Sequence, residues 1–154
     1  MSGKRIVSEG RIDPWARRRA RRLLLQALYQ WQMSGADEAE IERQFREDPN
    51  FERIDAEFFH DVLRGVISSC AALDACLAPL LDRKVMELDR VELALLRMGV
   101  YELCHRHDVP FKVAIHEAVG LARVFGAEES HRYVNGVLDA VARAQRAREV
   151  AADG

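Results

Sequence analysis

An all-α fold is predicted by three features of the 154-residue chain. Glycine and proline are scarce, with 9 and 4 copies, while the helix-forming residues Ala, Leu, Arg and Glu are common. Apolar residues recur at intervals of three and four, which places them on one face of a helix. No alternating apolar and polar run is bounded by turn residues, as a strand would require. With 49% hydrophobic residues, the chain can fold as one domain around a core.

The first three helices are predicted from their caps and apolar stripes. Asp13 stands before a proline, a pattern that begins a helix, and Gly35 ends it. A short helix follows Asp37. A third helix, capped by Asp55, should continue until Pro79 kinks or ends it. Its apolar stripe has 4-3 spacing and consists of Phe59, Leu63, Val66, Cys70, Leu73, Leu77 and Leu80.

Residues 90–106 are apolar on almost every side of the predicted helix, which is typical of a helix at the centre of a fold. A further helix begins after Pro110 and ends at Gly126, and the last begins near Ser130. The sum is six or seven helices. The chain then divides into a flexible basic N-terminal extension at 1–13, an all-helical domain at 14–146 and a frayed tail at 147–154.

Positive charge is concentrated at the N-terminus. Residues 1–22 carry eight Lys or Arg against two acids, a net charge of +6, whereas the other 132 residues have a net charge of −8. Such asymmetry is typical of a segment that binds a polyanion. Guanidinium groups pair with phosphate, and RNA bases stack on aromatic rings. The first helix is therefore a predicted nucleic-acid interface, with Arg17, Arg18, Arg21, Arg22, Gln26 and Tyr29 as candidates.

The sequence contains no constellation typical of an enzyme or a metal site. His116 and Glu117 begin like the zinc motif HExxH, but Gly120 stands where the second His is required. The three cysteines form no CxxC pair, which favours reduced thiols. Neither a secretory signal nor an apolar run of membrane-spanning length is found. We therefore expect a cytoplasmic protein that is not an enzyme and needs no cofactor or metal.

Several motifs, in order and in register, resemble the NusB family across roughly residues 15–142. They are RRRAR at 17–21, QALYQWQ at 26–32, VELALLR at 91–97, YEL at 101–103, DVPFKVAI at 108–115, FGAE at 125–128 and VNGVLD at 134–139. One departure is Gly120, where the family often has a larger polar residue. A glycine inside a helix costs about 1 kcal/mol of helix propensity.

The resemblance implies two small helical bundles around a long central helix. NusB proteins are bacterial transcription antitermination factors rather than enzymes. They bind the single-stranded boxA element of nascent ribosomal RNA leaders together with the small-subunit ribosomal protein called NusE. The pair joins NusA and NusG on RNA polymerase and suppresses termination. The resemblance implies the same partners for this chain.

Two faces are implied when the family motifs are carried over to this sequence. The RNA face includes the first-helix candidates, joined by Phe125, Glu129, Arg132 and Tyr133. The NusE face draws on Glu92, Arg97, Phe111 and Lys112.

Two other interpretations are compatible with parts of the sequence. The chain could be an RNA-binding module like those that precede ribosomal RNA cytosine methyltransferase domains, which would require a following α/β domain. It could also be a basic helix that binds a membrane surface or DNA, although the apolar side of this helix is needed for a core. The resemblance also allows a homodimer that hides the arginine face, and the sequence does not decide between monomer and homodimer.

Overall fold

The computed structural model describes residues 12–153, and every regular element in this range is helical. Eight α-helices follow one another in these residues. They are α1 (Pro14–Ser34), α2 (Glu38–Arg46), α3 (Ala56–Ser68), α4 (Cys70–Leu77), α5 (Arg90–His105), α6 (Phe111–Phe125), α7 (Ser130–Gln145) and α8 (Ala147–Asp153). Short 3-10 turns lie at Pro49–Arg53, Ala78–Leu80 and Val85–Glu87. The predicted all-α fold is confirmed, with slightly more helices than expected.

The central position predicted for 90–106 is also confirmed. Every residue of α5 from Glu92 to Leu103 is buried. Helices α1, α3 and α4 pack on one part of α5, and α6 and α7 pack on another. The result is two small helical bundles that share α5, and the first of them holds α1 against the protein body.

Helix α1 begins and ends where its caps predict. The Asp13 carboxylate accepts a hydrogen bond from the backbone N–H of Trp15 at 2.9 Å. At the other end, Gly35 adopts a left-handed conformation with φ of 69° and donates its N–H to the Trp31 carbonyl at 2.9 Å. Glycine takes this conformation without a steric penalty. Both ends of α1 are therefore fixed locally.

The prediction of a single long helix after Asp55 is wrong, because the chain bends by 75° between α3 and α4. The break falls at Ser69, whose ψ of 14° lies outside the helical range. Beyond it, α4 turns onto α5, where Asp74 pairs with Arg97 at 2.7 Å. Burial of Leu73 and Leu77 and this ion pair stabilise the bent arrangement.

The sequence predicts a frayed tail at 147–154, but residues Ala147–Asp153 form a helix. The Arg146 guanidinium is buried and donates to the backbone carbonyl of Leu103 at 2.8 Å and to that of Val109 at 3.0 Å. Glu149 in turn accepts from Arg146 at 2.6 Å and from the Phe111 N–H at 2.9 Å. These contacts anchor α8 to the ends of α5 and α6.

The N-terminal extension predicted at 1–13 lies outside the described residues, except for its last two positions, 12 and 13. Within residues 12–153, no single helix has both the length and the apolar character needed to cross a membrane. Only α3 and α4 taken together with the turn that follows, bent by 75°, meet that test by length and composition. The three cysteines are free thiols and partly buried.

Candidate nucleic-acid interface

One face of α1 is exposed along its whole length. Its residues recur every three or four positions, which is the spacing of a single helix face. They are Trp15, Arg18, Arg22, Gln26, Tyr29 and Met33, and all are exposed. The predicted candidates Arg18, Arg22, Gln26 and Tyr29 are therefore brought together on one surface.

Arg17 and Arg21 lie on the opposite, buried face, so the expectation that they present free charges is wrong. Arg17 donates to Asp55 at 3.1 Å and to Asp108 at 3.0 Å. Both guanidinium groups also lie over the ring of Phe58, at 4.4 and 4.8 Å from its centroid. Positions 17 and 21 share the helix face of the buried Leu24, so their side chains point into the protein.

Arg18 is exposed but is held in place by α6. Its Nε and Nη2 donate to the two carboxylate oxygens of Glu117 at 3.1 and 2.9 Å. This hydrogen bond, followed by the charge of Glu117, raises the pKa of Arg18 above its ordinary value. With 53% of the side chain exposed, one edge of the guanidinium is fixed and the remainder faces solvent.

Arg22 links α1 to the C-terminal end of α6. Its guanidinium carbon lies 4.9 Å from the centroid of the Phe125 ring. Among residues 12–153, no carboxylate lies within ion-pair distance of Arg22. Phe125 is 38% exposed, so the Arg22 guanidinium and the Phe125 ring lie next to each other at the surface. This pairing suits a phosphate and a stacked base.

Two open hollows flank this arginine. The first, here called the apolar hollow, has a volume of about 600 Å³ and is lined by Leu25, Gln26, Tyr29, Gln30, Met33, Ser34, Phe45, Val91 and Phe125. The second, here called the basic hollow, lies between α1 and α6 and is lined by Arg18, Arg19, Arg22, His116, Glu117, Gly120, Leu121 and Val124. Rings and amide groups in one hollow and guanidinium groups in the other suit the bases and the phosphates of a nucleic acid.

Comparison with known proteins shows the family of this chain. The NusB family model matches residues 18–143, which is most of the chain and includes all of α1 after its first turn and all of α6. The chain belongs to the NusB family.

Individual NusB relatives are similar over nearly their full length. A transcription antitermination protein NusB from Alcanivorax borkumensis is 54% identical over 136 residues, covering 88% of this chain and 91% of the relative. The protein of the same name from Yersinia pestis is 51% identical over 138 residues, covering 90% of this chain and 100% of the relative. The similarity therefore extends over most of this chain and of each relative.

Two solved structures have the same fold. NusB of T. maritima superposes with a TM-score of 0.73 at 29% identity, covering 82% of this chain and 89% of that one. A crystal structure of antitermination factors NusB and NusE in complex with dsRNA gives a TM-score of 0.79 at 26% identity. It covers 86% of this chain and 99% of the matched chain.

The remaining RNA-face residues implied by NusB are not brought to the exposed face of α1. Arg132 and Glu129 pair with each other at 3.2 Å at the start of α7, and Arg132 lines a separate groove between α6 and α7. The Tyr133 hydroxyl donates to Asp82 at 3.0 Å. The pKa of the Asp82 carboxyl is lowered to about 2. The main cause is the hydrogen bond from Arg83, and the hydrogen bond from Tyr133 adds to it. Phe125 alone of this group joins α1.

Three of the four residues implied for the NusE face are buried, and this expectation is corrected. Glu92 accepts from the Ser130 hydroxyl at 2.6 Å. Arg97 pairs with Asp74, and its Nη1 also donates to Gln32 at 3.0 Å. Phe111 is 7% exposed. These side chains hold the NusB fold together.

Lys112 is the only one of the four that is exposed. Its side chain is 65% exposed and pairs with Asp153 of α8 at 2.8 Å. A role for this surface in partner binding stays a prediction for this member of the NusB family.

Sequence reasoning missed two residues of the interface. Trp15 is 63% exposed, and the signal was available, since it precedes Arg18 by three positions on the same face. Glu117, which fixes Arg18, is 99 residues away in sequence, and no local pattern reveals it. Among the described residues, no group of His, Cys, Asp and Glu has an arrangement that could hold a metal ion.

Proposed function

We propose that this chain is a transcription antitermination factor that binds the boxA element of nascent ribosomal RNA leaders. It acts in the cytoplasm as an adaptor without enzymatic activity. It binds RNA together with the ribosomal protein NusE, and the pair joins NusA and NusG on RNA polymerase. Membership of the NusB family and the names of its relatives support this proposal.

The observation that carries the proposal is the contact between Arg22 and Phe125. It places an exposed cation, without a carboxylate partner among the described residues, 4.9 Å from an exposed ring. Tyr29 and Gln26 line the adjoining apolar hollow together with Phe125. Phosphate contacts position a nucleic acid, whereas contacts to its bases select the sequence. Both kinds of contact are available within this one surface.

Unpaired RNA suits this surface better than a duplex. Aromatic side chains stack on bases that are splayed out of a helix, while the bases of double-stranded RNA are covered by their neighbours. Tyr29 and Phe125 are 40% and 38% exposed, so each can cover one face of such a base. The related NusB–NusE complex was crystallised with RNA described as double-stranded, which makes the comparison of both RNA forms informative.

The presence of NusE in that related complex supports NusE as the protein partner of this chain. We propose that the surface around Lys112 takes part, because it is the exposed member of the implied NusE face. A monomer is the RNA-binding form in this proposal, since a homodimer that covers α1 would hide Arg22 and Tyr29.

The test is an equilibrium binding titration of a fluorescently labelled boxA RNA, in single-stranded and duplex form, with and without NusE. We expect single-stranded boxA RNA to bind most tightly and NusE to increase its affinity. A scrambled RNA of the same length and composition is the control for non-specific phosphate binding. Equal affinities for boxA and scrambled RNA, with no gain from NusE, would overturn the proposal. Sedimentation of the same samples reports whether RNA binds the monomer.

A further inference from the structure

Trp15 is the most exposed aromatic side chain of the described residues, with 63% of its surface in contact with solvent. It contributes nothing to the hydrophobic core. An indole ring offers a large apolar area on contact with a partner, so an exposed one often marks a binding surface.

The ring of Trp15 lies beside a guanidinium group that α6 holds in place. The Asp13 carboxylate caps the first turn of α1 by accepting a hydrogen bond from the backbone N–H of Trp15 at 2.9 Å. The Arg18 guanidinium lies 5.1 Å from the Trp15 ring centroid, and Glu117 fixes that guanidinium from α6. Trp15 and Arg18 therefore form a preorganised pair, which lowers the entropic cost of binding.

Gly120 lines the basic hollow beside Arg18 and leaves open space there. A Cβ at position 120 would meet no atom within 4 Å, so core packing does not require the glycine. Arg19 and Arg22 line the same hollow and have no carboxylate partner among residues 12–153. The hollow thus combines free positive charge with open space next to an exposed ring.

We propose that Trp15, supported by Arg18, is a second stacking position for an unpaired RNA base, and that the basic hollow holds an adjoining phosphate. This inference rests on the proposed RNA-binding function and extends the RNA path to the N-terminal end of α1. Trp15 and Tyr29 are 14 residues apart, about 21 Å along a helix. That distance spans on the order of six nucleotides at about 3.4 Å each.

The first test compares boxA RNAs of about 4 and about 12 nucleotides, because the shorter RNA is too short to reach both Trp15 and Tyr29. The unmodified chain should bind the longer RNA more tightly. Trp15→Ala should reduce the affinity for the longer RNA about tenfold, so that the two RNAs bind about equally well. Trp15→Phe should retain most of the higher affinity for the longer RNA. Met86→Ala is the matched control, since Met86 is 64% exposed and lines neither hollow.

The second test uses fluorescence. The chain has two tryptophans, so Trp31→Phe leaves Trp15 as the only indole. Stacking of a base on Trp15 should quench its emission when the longer RNA is added, and the shorter RNA should quench it less. Thermal denaturation of each variant shows that the fold is intact.

The outcomes separate the two proposals. If Trp15→Ala binds the longer RNA as the unmodified chain does while Tyr29→Ala binds it more weakly, the stacking position is wrong and RNA binding stands. If the unmodified chain does not bind boxA RNA, both proposals fail. If Trp15→Ala weakens only the binding of NusE, Trp15 is a protein contact and the inference is overturned.

Discussion

Arg21 and Glu102 form a buried ion pair that joins α1 to the central helix α5. The Arg21 Nη2 lies 2.7 Å from one carboxylate oxygen, and the Nε lies 3.0 Å from the other. The two side chains are 3% and 2% exposed. The arginine-rich segment is therefore divided by the helix period, with Arg17 and Arg21 inside and Arg18, Arg19 and Arg22 outside.

Arg21→Ala should destabilise the fold. It leaves the Glu102 carboxylate buried without its partner, which costs about 3–5 kcal/mol. At roughly 2–4 °C per kcal/mol for a protein of this size, the melting temperature should fall by more than about 6 °C in a thermal denaturation experiment. The exposed Arg43→Ala, on α2, should change it little.

The double variant Arg21→Met with Glu102→Leu separates a structural role from an RNA-binding role. Replacing both charges by apolar groups should recover most of the lost stability. Its RNA affinity should match that of the unmodified chain, because neither side chain is at the surface. A stable double variant with strongly reduced RNA affinity would show that Arg21 contacts RNA after all.

Arg22→Ala should weaken RNA binding without loss of stability. Its guanidinium is exposed, lies over the Phe125 ring and has no ion-pair partner among the described residues. If it neutralises one phosphate, the slope of log K against log salt should become shallower by about 0.7 for a single strand. The salt dependence of binding, measured beside Arg43→Ala, checks this. An unchanged slope would remove Arg22 from the phosphate contacts.

Tyr29→Ala should reduce affinity for boxA RNA by about 1–3 kcal/mol, because the loss of one stacked base costs this much. Tyr29→Phe should bind nearly as tightly, since it retains the ring. Tyr29 is 40% exposed, so the melting temperature should change little. Equal loss of affinity in both variants would mean that the hydroxyl rather than the ring matters.

Glu38→Gln should stabilise the protein at neutral pH. Glu38 Oε2 is buried without a hydrogen-bond partner. Burial, followed by the neighbouring carboxylate of Glu42, raises the pKa of Glu38 above its ordinary value. The native state therefore binds this proton more tightly than the unfolded state. The resulting stabilisation is fully present below the unfolded pKa of about 4.3 and is lost as pH rises from there through the raised native pKa.

A gain of about 0.5 kcal/mol is expected for Glu38→Gln at pH 7, the size of a like-charge pair one helical turn apart. This corresponds to about 1–2 °C in melting temperature, and the gain should vanish below about pH 4. Glu52→Gln, at an exposed position, should show no such pH dependence. A constant gain at every pH would exclude the ionisation of Glu38 as its cause.

The sequence was sufficient for features with local causes. The Asp13 and Gly35 caps fix the ends of α1, and the apolar run from 91 to 103 predicts the central helix. Arg18, Arg22, Gln26 and Tyr29 share a face because of helical spacing alone. These features need no knowledge of the rest of the chain.

Features with distant causes could not be predicted. The carboxylate partners of Arg17 and Arg21 are 38 to 91 residues away, and the charge run concealed which arginines point inward. The 4-3 stripe crosses Ser69 without interruption, so the bend depends on the contact of α4 with α5. The anchoring of α8 by Arg146 likewise depends on carbonyl groups of other helices.

The central claim is that RNA lies along the exposed face of α1 and the end of α6. Ultraviolet cross-linking of boxA RNA to the unmodified chain, with the cross-linked peptides mapped by mass spectrometry, tests it most directly. The account predicts cross-links within residues 14–34 and at Phe125. Cross-links confined to α7 and α8, with none on α1, would contradict it.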